Sequence, residues 1–281
     1  MKKISDYIIY SNLLIAAGAG CFIWETYILF KLTIDPLYII IGFVATLFTY
    51  NIDRLVIIDS LSSTNSERHA WFAKSPKSMT GISVLCFVFL LISIFFLPWR
   101  SIFFLAHLGF ISVAYSVPIL AKGSKNLRSI KILKIFLITY VWTASTVLMP
   151  LIGSDINIFQ RDVVLLFMER ALFIFAITLP FDIRDYSSDM ENKVVTIPGL
   201  IGIKATRVLA FVCLLIFFLI NLIHYDFHSG VLLAKLISGV STFGIILYAT
   251  ENRHEYYYTG LLDGTIIVQF LLVLCLNTIS F

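Results

Sequence analysis

Thr178-Leu-Pro-Phe-Asp182-Ile-Arg184-Asp185-Tyr186-Ser-Ser-Asp189-Met-Glu191-Asn192-Lys193-Val-Val-Thr196-Ile-Pro198 is where a long apolar run turns abruptly into charge. Pro180 loosens the backbone hydrogen bonding at the end of that run. If helix continues past it, Asp182, Asp185 and Asp189 stand at i, i+3 and i+7, which places three carboxylates on one stripe. Three like charges beside lipid repel one another and are costly to desolvate. A divalent cation removes both penalties, and Mg²⁺ suits best because it takes oxygen ligands, commonly one or two carboxylates plus substrate phosphates and water. The plainer alternative is a solvated acidic loop that binds nothing in particular.

Outward from this segment the chain is mostly hydrocarbon. Of 281 residues, 59% are hydrophobic, 15% aromatic and 14% charged, with a mean hydropathy of +0.93. Soluble domains carry roughly 25% charged residues, so a water-soluble core cannot hide this surface and a disordered chain would not contain it. Apolar runs long enough to span a bilayer fall near 7–30, 37–58, 80–98, 101–121, 132–153, 163–181, 208–224, 231–250 and 256–279. They do not alternate as barrel strands do. The expectation is an all-α, multi-pass membrane protein of about nine transmembrane helices, with residues 1–281 as one domain. Met1-Lys2-Lys3 before the first run imitates a signal peptide, but the run continues past Cys21 to Phe30, longer than an h-region of roughly 7–15 residues.

Of the 21 Lys and Arg residues, five (Lys31, Arg100, Arg161, Arg170 and Lys235) fall on one side of such a bundle. Arg54 sits at the end of the second span, and the remaining 15 fall on the side that holds the N-terminus. That bias predicts a cell-membrane protein with a cytoplasmic N-terminus and an external C-terminus. Cys21, Cys86, Cys213 and Cys275 all lie in apolar runs and read as small buried hydrophobes. The five His residues have no paired metal spacing, and no Gly-rich phosphate loop, Ser-His-Asp set or nucleic-acid module is present.

The acidic segment resembles the second aspartate-rich motif of the UbiA family of intramembrane prenyltransferases, roughly Asp-x-x-Asp-x-x-x-Asp followed by Gly-x-Lys-Thr-Leu-Pro. Asp182, Asp185, Asp189, Thr196 and Pro198 match, and Gly202 follows; Lys193 stands where Gly is usual and Val195 where Lys or Arg is usual. Tyr115-Ser-Val-Pro118-Ile-Leu-Ala-Lys122 is similar to the family's Tyr-Ser-x-Pro…Lys segment. Lys122 would then help to hold a diphosphate, or else serves only topology. The family's first motif, Asn-Asp-x-x-Asp-x-x-x-Asp, is reduced here. Aligning on Asn51 keeps Asn51 and Asp59 but puts Ile52 and Leu55 in place of aspartates, whereas aligning on Asp53-Arg54 puts Thr49 and Ile57 where polar ligands belong. Asn51 and Asp59 come about 80° apart around a helix.

The resemblance implies a UbiA-like bundle and Mg²⁺-dependent transfer of a prenyl group from an isoprenoid diphosphate to an aromatic or other lipid-soluble acceptor. It implies metal ligation by Asp59, Asp182, Asp185 and Asp189 and substrate contacts from Asn51, Tyr115, Lys122 and Lys193; Arg54, whose guanidinium matches phosphate oxygens in a fork, reads as a catalytic charge in partial place of a metal. Asp263, about two turns into the last span, either faces the same cavity or bonds a neighbouring helix. Glu25, Glu169 and Arg170 lie toward the outer ends of their helices, where ion pairing or snorkelling accounts for them. A non-catalytic membrane protein that binds an isoprenoid or quinone is the rival expectation.

Overall fold

The computed structural model describes residues 2–57, 71, 76–116, 131–191 and 194–279, with side chains over 6–55, 71, 76–112, 133–191 and 194–279. Every regular element among them is helical. α1 (Lys2–Tyr10) and α2 (Leu13–Leu29) precede α3 (Pro36–Ile57). α4 (Pro76–Ser93) turns at Ile94–Phe96 into α5 (Trp99–Ser116). α6 (Lys131–Thr143) passes through a π-helical turn, Ala144–Leu148, into α7 (Met149–Gly153). Then come α8 (Arg161–Arg184), the short α9 (Tyr186–Glu191) and α10 (Ile197–Ile201), α11 (Ile203–His224) and α12 (Gly230–Leu247). A second π-helical turn, Tyr257–Leu262, leads into α13 (Asp263–Leu276).

The multi-pass helical bundle is the one the composition predicts, but the helix count differs. Seven helices among the described residues, not nine, are long and apolar enough to cross a bilayer. The run 7–30 is two helices, because Asn12 takes a left-handed conformation (φ 67°, ψ 11°) between α1 and α2. Asn is among the few residues that visit this region without glycine's freedom, and its side chain is fastened from α3. What remains, α2, is a shorter apolar helix of 17 residues. In the place of the expected span 101–121, α5 carries Arg100 and His107 among its apolar residues.

The helices pack largely on chain neighbours: α4 on α3, α3 on α2, α2 on α13, α13 on α12, α12 on α11, α11 on α8 and α8 on α6. α5 meets α6 and α7. Phe22, Phe173 and Phe217 form the centre, with ring centroids 6.1 and 5.6 Å apart. Outward-facing Phe95, Phe103 and Phe110 stay exposed, as a lipid-facing surface requires. Gly230 allows the start of α12 to touch the end of α13, since a Cβ there would sit 1.9 Å from the Leu276 carbonyl oxygen.

Far from the acidic segment, the bundle is braced by charge. Glu25 Oε1 accepts from Arg170 Nη2 at 2.8 Å and from Lys235 Nζ at 2.7 Å, and Lys235 also reaches Glu169 Oε1 at 2.9 Å. All four side chains are fully buried. Arg170 Nη1 donates to the Phe22 carbonyl (2.7 Å), Thr26 Oγ1 (2.9 Å) and the Thr146 carbonyl (3.3 Å). The last of these follows from Pro150. Proline has no N–H for the carbonyl four residues earlier, and the Thr146 carbonyl instead takes Arg170 and the Thr26 hydroxyl, the latter at 2.7 Å. The π-helical turn ends at Leu148, two residues before this proline. Tyr225, just past α11, donates to Glu169 Oε1 at 3.2 Å. Burial first, and then the Glu169 carboxylate, push its phenol well above the ordinary tyrosine range, so it stays a donor. Ion pairing, one of the two expectations for Glu25, Glu169 and Arg170, is what the bundle uses.

Candidate functional site

Successive helical residues point about 100° apart, and this divides the work at the end of α3. Asn51 is fully buried and its Oδ1 accepts from Asn12 Nδ2 at 2.7 Å, so it anchors the joint between α1 and α2. Asp53 lines a chamber together with Tyr50 and Lys134. Arg54 looks elsewhere, into the electrostatic field of Arg184, Asp53, Glu255 and Asp185.

The second motif reaches that same place. α8 runs through Pro180 without ending and stops at Arg184, with Asp185 as its cap (φ −87°, ψ 2°). α9 restarts at Tyr186, and the Asp189 N–H donates to the Asp185 carbonyl at 2.9 Å, which carries a helix-like step across the joint. Arg184 donates from Nε and Nη2 to the two carboxylate oxygens of Asp185, at 2.8 and 3.1 Å, the fork geometry that suits guanidinium and carboxylate. Its guanidinium also lies 5.3 Å from the Phe181 ring centre and 5.4 Å from that of Tyr258. The Tyr258 hydroxyl donates to the Thr250 carbonyl at 2.6 Å. The segment before α13 is tied in further by Ser187 donating to Glu251 and Tyr256 donating to Asp6. Asp189 is buried, at 4% exposure. Thr196 caps α10 by accepting from the Gly199 N–H at 3.3 Å, and Gly202 turns the chain into α11 with φ 82°, a value that favours glycine.

Arg54, Arg184, Asp185 and Glu255 are therefore brought together from three distant parts of the sequence. Glu255 is not singled out by the sequence, since Glu251 and Glu255 beside Arg253 and His254 match no motif spacing. Asp263 ends the π-helical turn and is half-buried at the start of α13. Asp59, Lys122 and Lys193 lie outside the described residues, as does the side chain of Tyr115. Among the described residues, no group of three or more His, Cys, Asp or Glu side chains is gathered closely enough to hold a metal ion. The donor chemistry nevertheless fits Mg²⁺, which needs only one or two carboxylates when phosphate oxygens complete its shell. Asp182, Asp185 and Asp189, on one short segment, are carboxylates of that kind.

Beside the end of α3 are two adjoining chambers. The smaller, about 120 Å³, is lined by Asp53, Lys134, Tyr50 and Trp142 among others. The larger, about 440 Å³, is almost entirely apolar and runs on past Trp142 to Met149 and Leu97. Its wall includes Phe87 and Leu91, both of which are exposed. Neither Lys134 nor Trp142 stood out in the sequence as a chamber residue, because one lysine in a basic cluster and one indole in an apolar run look ordinary.

The sequence matches no family model and no curated protein. The structure is similar to that of a digeranylgeranylglyceryl phosphate synthase of membranes, with a TM-score of 0.61 and 15% sequence identity over 99% of this chain and 99% of that one. That correspondence extends over the whole bundle, and so the chain has the fold of a UbiA-family membrane prenyltransferase.

Proposed function

We propose that the protein transfers the prenyl group of an isoprenoid diphosphate to an aromatic or other lipid-soluble acceptor. The observation that carries this reading is the position of α3's end. One side, Arg54, meets the charges of Arg184, Asp185 and Glu255, where a diphosphate head would be held, while Tyr50 and Asp53 border two largely apolar chambers suited to the prenyl tail and a lipid-soluble acceptor. Mg²⁺, held by Asp182, Asp185 and Asp189 with Asp59, would neutralise the diphosphate oxygens.

Arg54 binds the diphosphate with a fixed charge that matches phosphate oxygens in a fork. Asp185 holds Arg184 in place beside it, with the Phe181 and Tyr258 rings at its faces. As the bond between the first prenyl carbon and the diphosphate oxygen breaks, its electron pair leaves with the diphosphate. The allylic carbon bonds to the acceptor nucleophile, and the acceptor's proton passes to a carboxylate, for which Asp53 in the small chamber is placed. Tyr115, Lys122, Lys193 and Asp263 complete the substrate contacts in this reading, and Asn51 serves it by fixing α1 and α2. The motif end of the bundle faces the cytoplasm, as the distribution of basic residues predicts.

The test is titration of purified protein in lipid with an isoprenoid diphosphate, with and without Mg²⁺. Mg²⁺-dependent binding is expected, abolished in Asp185→Ala and Asp189→Ala and weakened less in Asp53→Ala. Equal losses in all three would refute the division of roles, and binding that ignores Mg²⁺ would remove the metal from the account.

A further inference from the structure

We infer that Arg207 and Arg253 form a binding site for the phosphate headgroup of an anionic membrane lipid, at the C-terminal end of α12 and distinct from the candidate site at Arg54 and Arg184. Three side chains from separate parts of the chain close on that helix end. Tyr257 donates to the Ile245 carbonyl, Arg253 Nε to the Tyr248 carbonyl at 3.2 Å, and Arg207 Nη2 to the Ala249 carbonyl at 2.7 Å. The Arg253 guanidinium lies 5.4 Å from the centre of the Tyr257 ring, and Arg207 is close enough to act electrostatically on the same phenol. Tyr258, the next residue, serves Arg184 instead. The two sites are therefore neighbours that share no side chain.

Capping α12 accounts for only part of this arrangement. A helix end carries about half a negative charge, against two full positive ones here. Among the described residues neither arginine pairs with a carboxylate. The acids nearest in the chain have other partners: Glu251 accepts from Ser187, and Glu255 lies in the field of Arg54 and Arg184. Lys204, exposed one turn before Arg207, adds positive charge to the same face of α11. Arg207 Nε is buried with no acceptor, a costly state for a charged donor. A phosphate oxygen supplies both the acceptor and the missing negative charge.

The surroundings select a lipid over a free ion. Arg207 is one turn inside α11, a helix long and apolar enough to cross a bilayer, and Val208, Leu247 and Tyr248 beside the arginines are exposed. Basic groups next to an exposed apolar strip at a bilayer edge suit a headgroup whose acyl chains run down the bundle. Phe211 and Phe243, with ring centroids 4.2 Å apart, fill the seam between α11 and α12 along which those chains would lie.

The experiment titrates the full chain in neutral detergent with phosphatidylglycerol or phosphatidylcholine of equal chain length and counts bound lipids by native mass spectrometry. One phosphatidylglycerol should bind more tightly than the rest, and phosphatidylcholine should not displace it. Arg253→Ala and Arg207→Gln should each weaken that lipid about five-fold, the usual worth of one basic residue beside an anionic headgroup, and the double variant about 25-fold. Arg253→Lys should keep most of the affinity. Arg253 is exposed, so its variants do not depend on tolerance of a core change. Arg100→Ala, which removes the exposed pair with Asp155, should change nothing. Equal binding of the two lipids, or equal losses in Arg100→Ala and Arg253→Ala, would leave only general attraction and overturn the site. Displacement by millimolar inorganic phosphate would make it a site for a free anion and overturn the lipid assignment.

Discussion

Arg54 and Asp53 are chain neighbours, but only Asp53 lines the small chamber, and that difference decides what each can do. From sequence they were parts of a reduced motif that could be aligned in two ways. One helical step of about 100° divides them: Arg54 lies among the charges of Arg184, Glu255, Asp185 and Asp53 itself, whereas Asp53 also lines the small chamber with Lys134. Arg54→Ala should lower kcat by about 10²–10³-fold, the usual cost of losing one preorganised charge on a developing anion, while KM changes only a few-fold. Steady-state kinetics with a saturating acceptor measures this, and Arg54→Lys should recover part of the loss by restoring charge without the fork. Unchanged turnover in Arg54→Ala would mean that the charge is supplied elsewhere. The stripe of Asp182, Asp185 and Asp189 was legible because helical spacing is local. The partners Tyr258 and Glu255 were not, because nothing in a sequence states which loop returns to which helix end.

At the scale of elements, the buried charges around Glu25 carry the lesson. Arg170 and Lys235 reach Glu25 across 145 and 210 residues of chain, so the sequence could show ionisable residues near helix ends but not their convergence on one carboxylate. Lys235→Met removes the cation shared by two buried glutamates and should destabilise the fold by about 3–5 kcal/mol, the cost of leaving buried charge unpaired. Thermal unfolding in detergent reads this. The double variant Glu25→Gln, Lys235→Met removes one charge of each sign and should lose less than the sum of the single losses, because the two side chains are in contact. A strictly additive result would mean that the network contributes packing rather than charge. Helix existence was plain from the apolar runs. The break at Asn12 was not, because an asparagine inside an apolar run usually continues the helix, and here its left-handed conformation is held by Asn51.

For the whole molecule, the distribution of basic residues predicts that the end of the bundle bearing Arg54, Arg184 and Glu251 is cytoplasmic. Reporters fused after Glu191 should read cytoplasmic and those fused after Asp226 external; the reverse would overturn the orientation. The bundle was legible as a class because bilayer spans are long and uniformly apolar. The chambers were not, since their walls draw on α3, α4, α5 and α6 at once. The proposed function joins both: charge at one end of α3 and an apolar chamber beside it would serve to ionise an allylic diphosphate. Release of inorganic diphosphate from an isoprenoid diphosphate, by purified protein in lipid with Mg²⁺ and an extract of membrane lipids as acceptor source, tests it most directly. The account predicts release that needs both Mg²⁺ and acceptor, stops in Asp189→Ala and falls steeply in Arg54→Ala. Saturable binding of the same diphosphate with no release under any acceptor would contradict it and make the protein an isoprenoid binder built on an enzyme's fold.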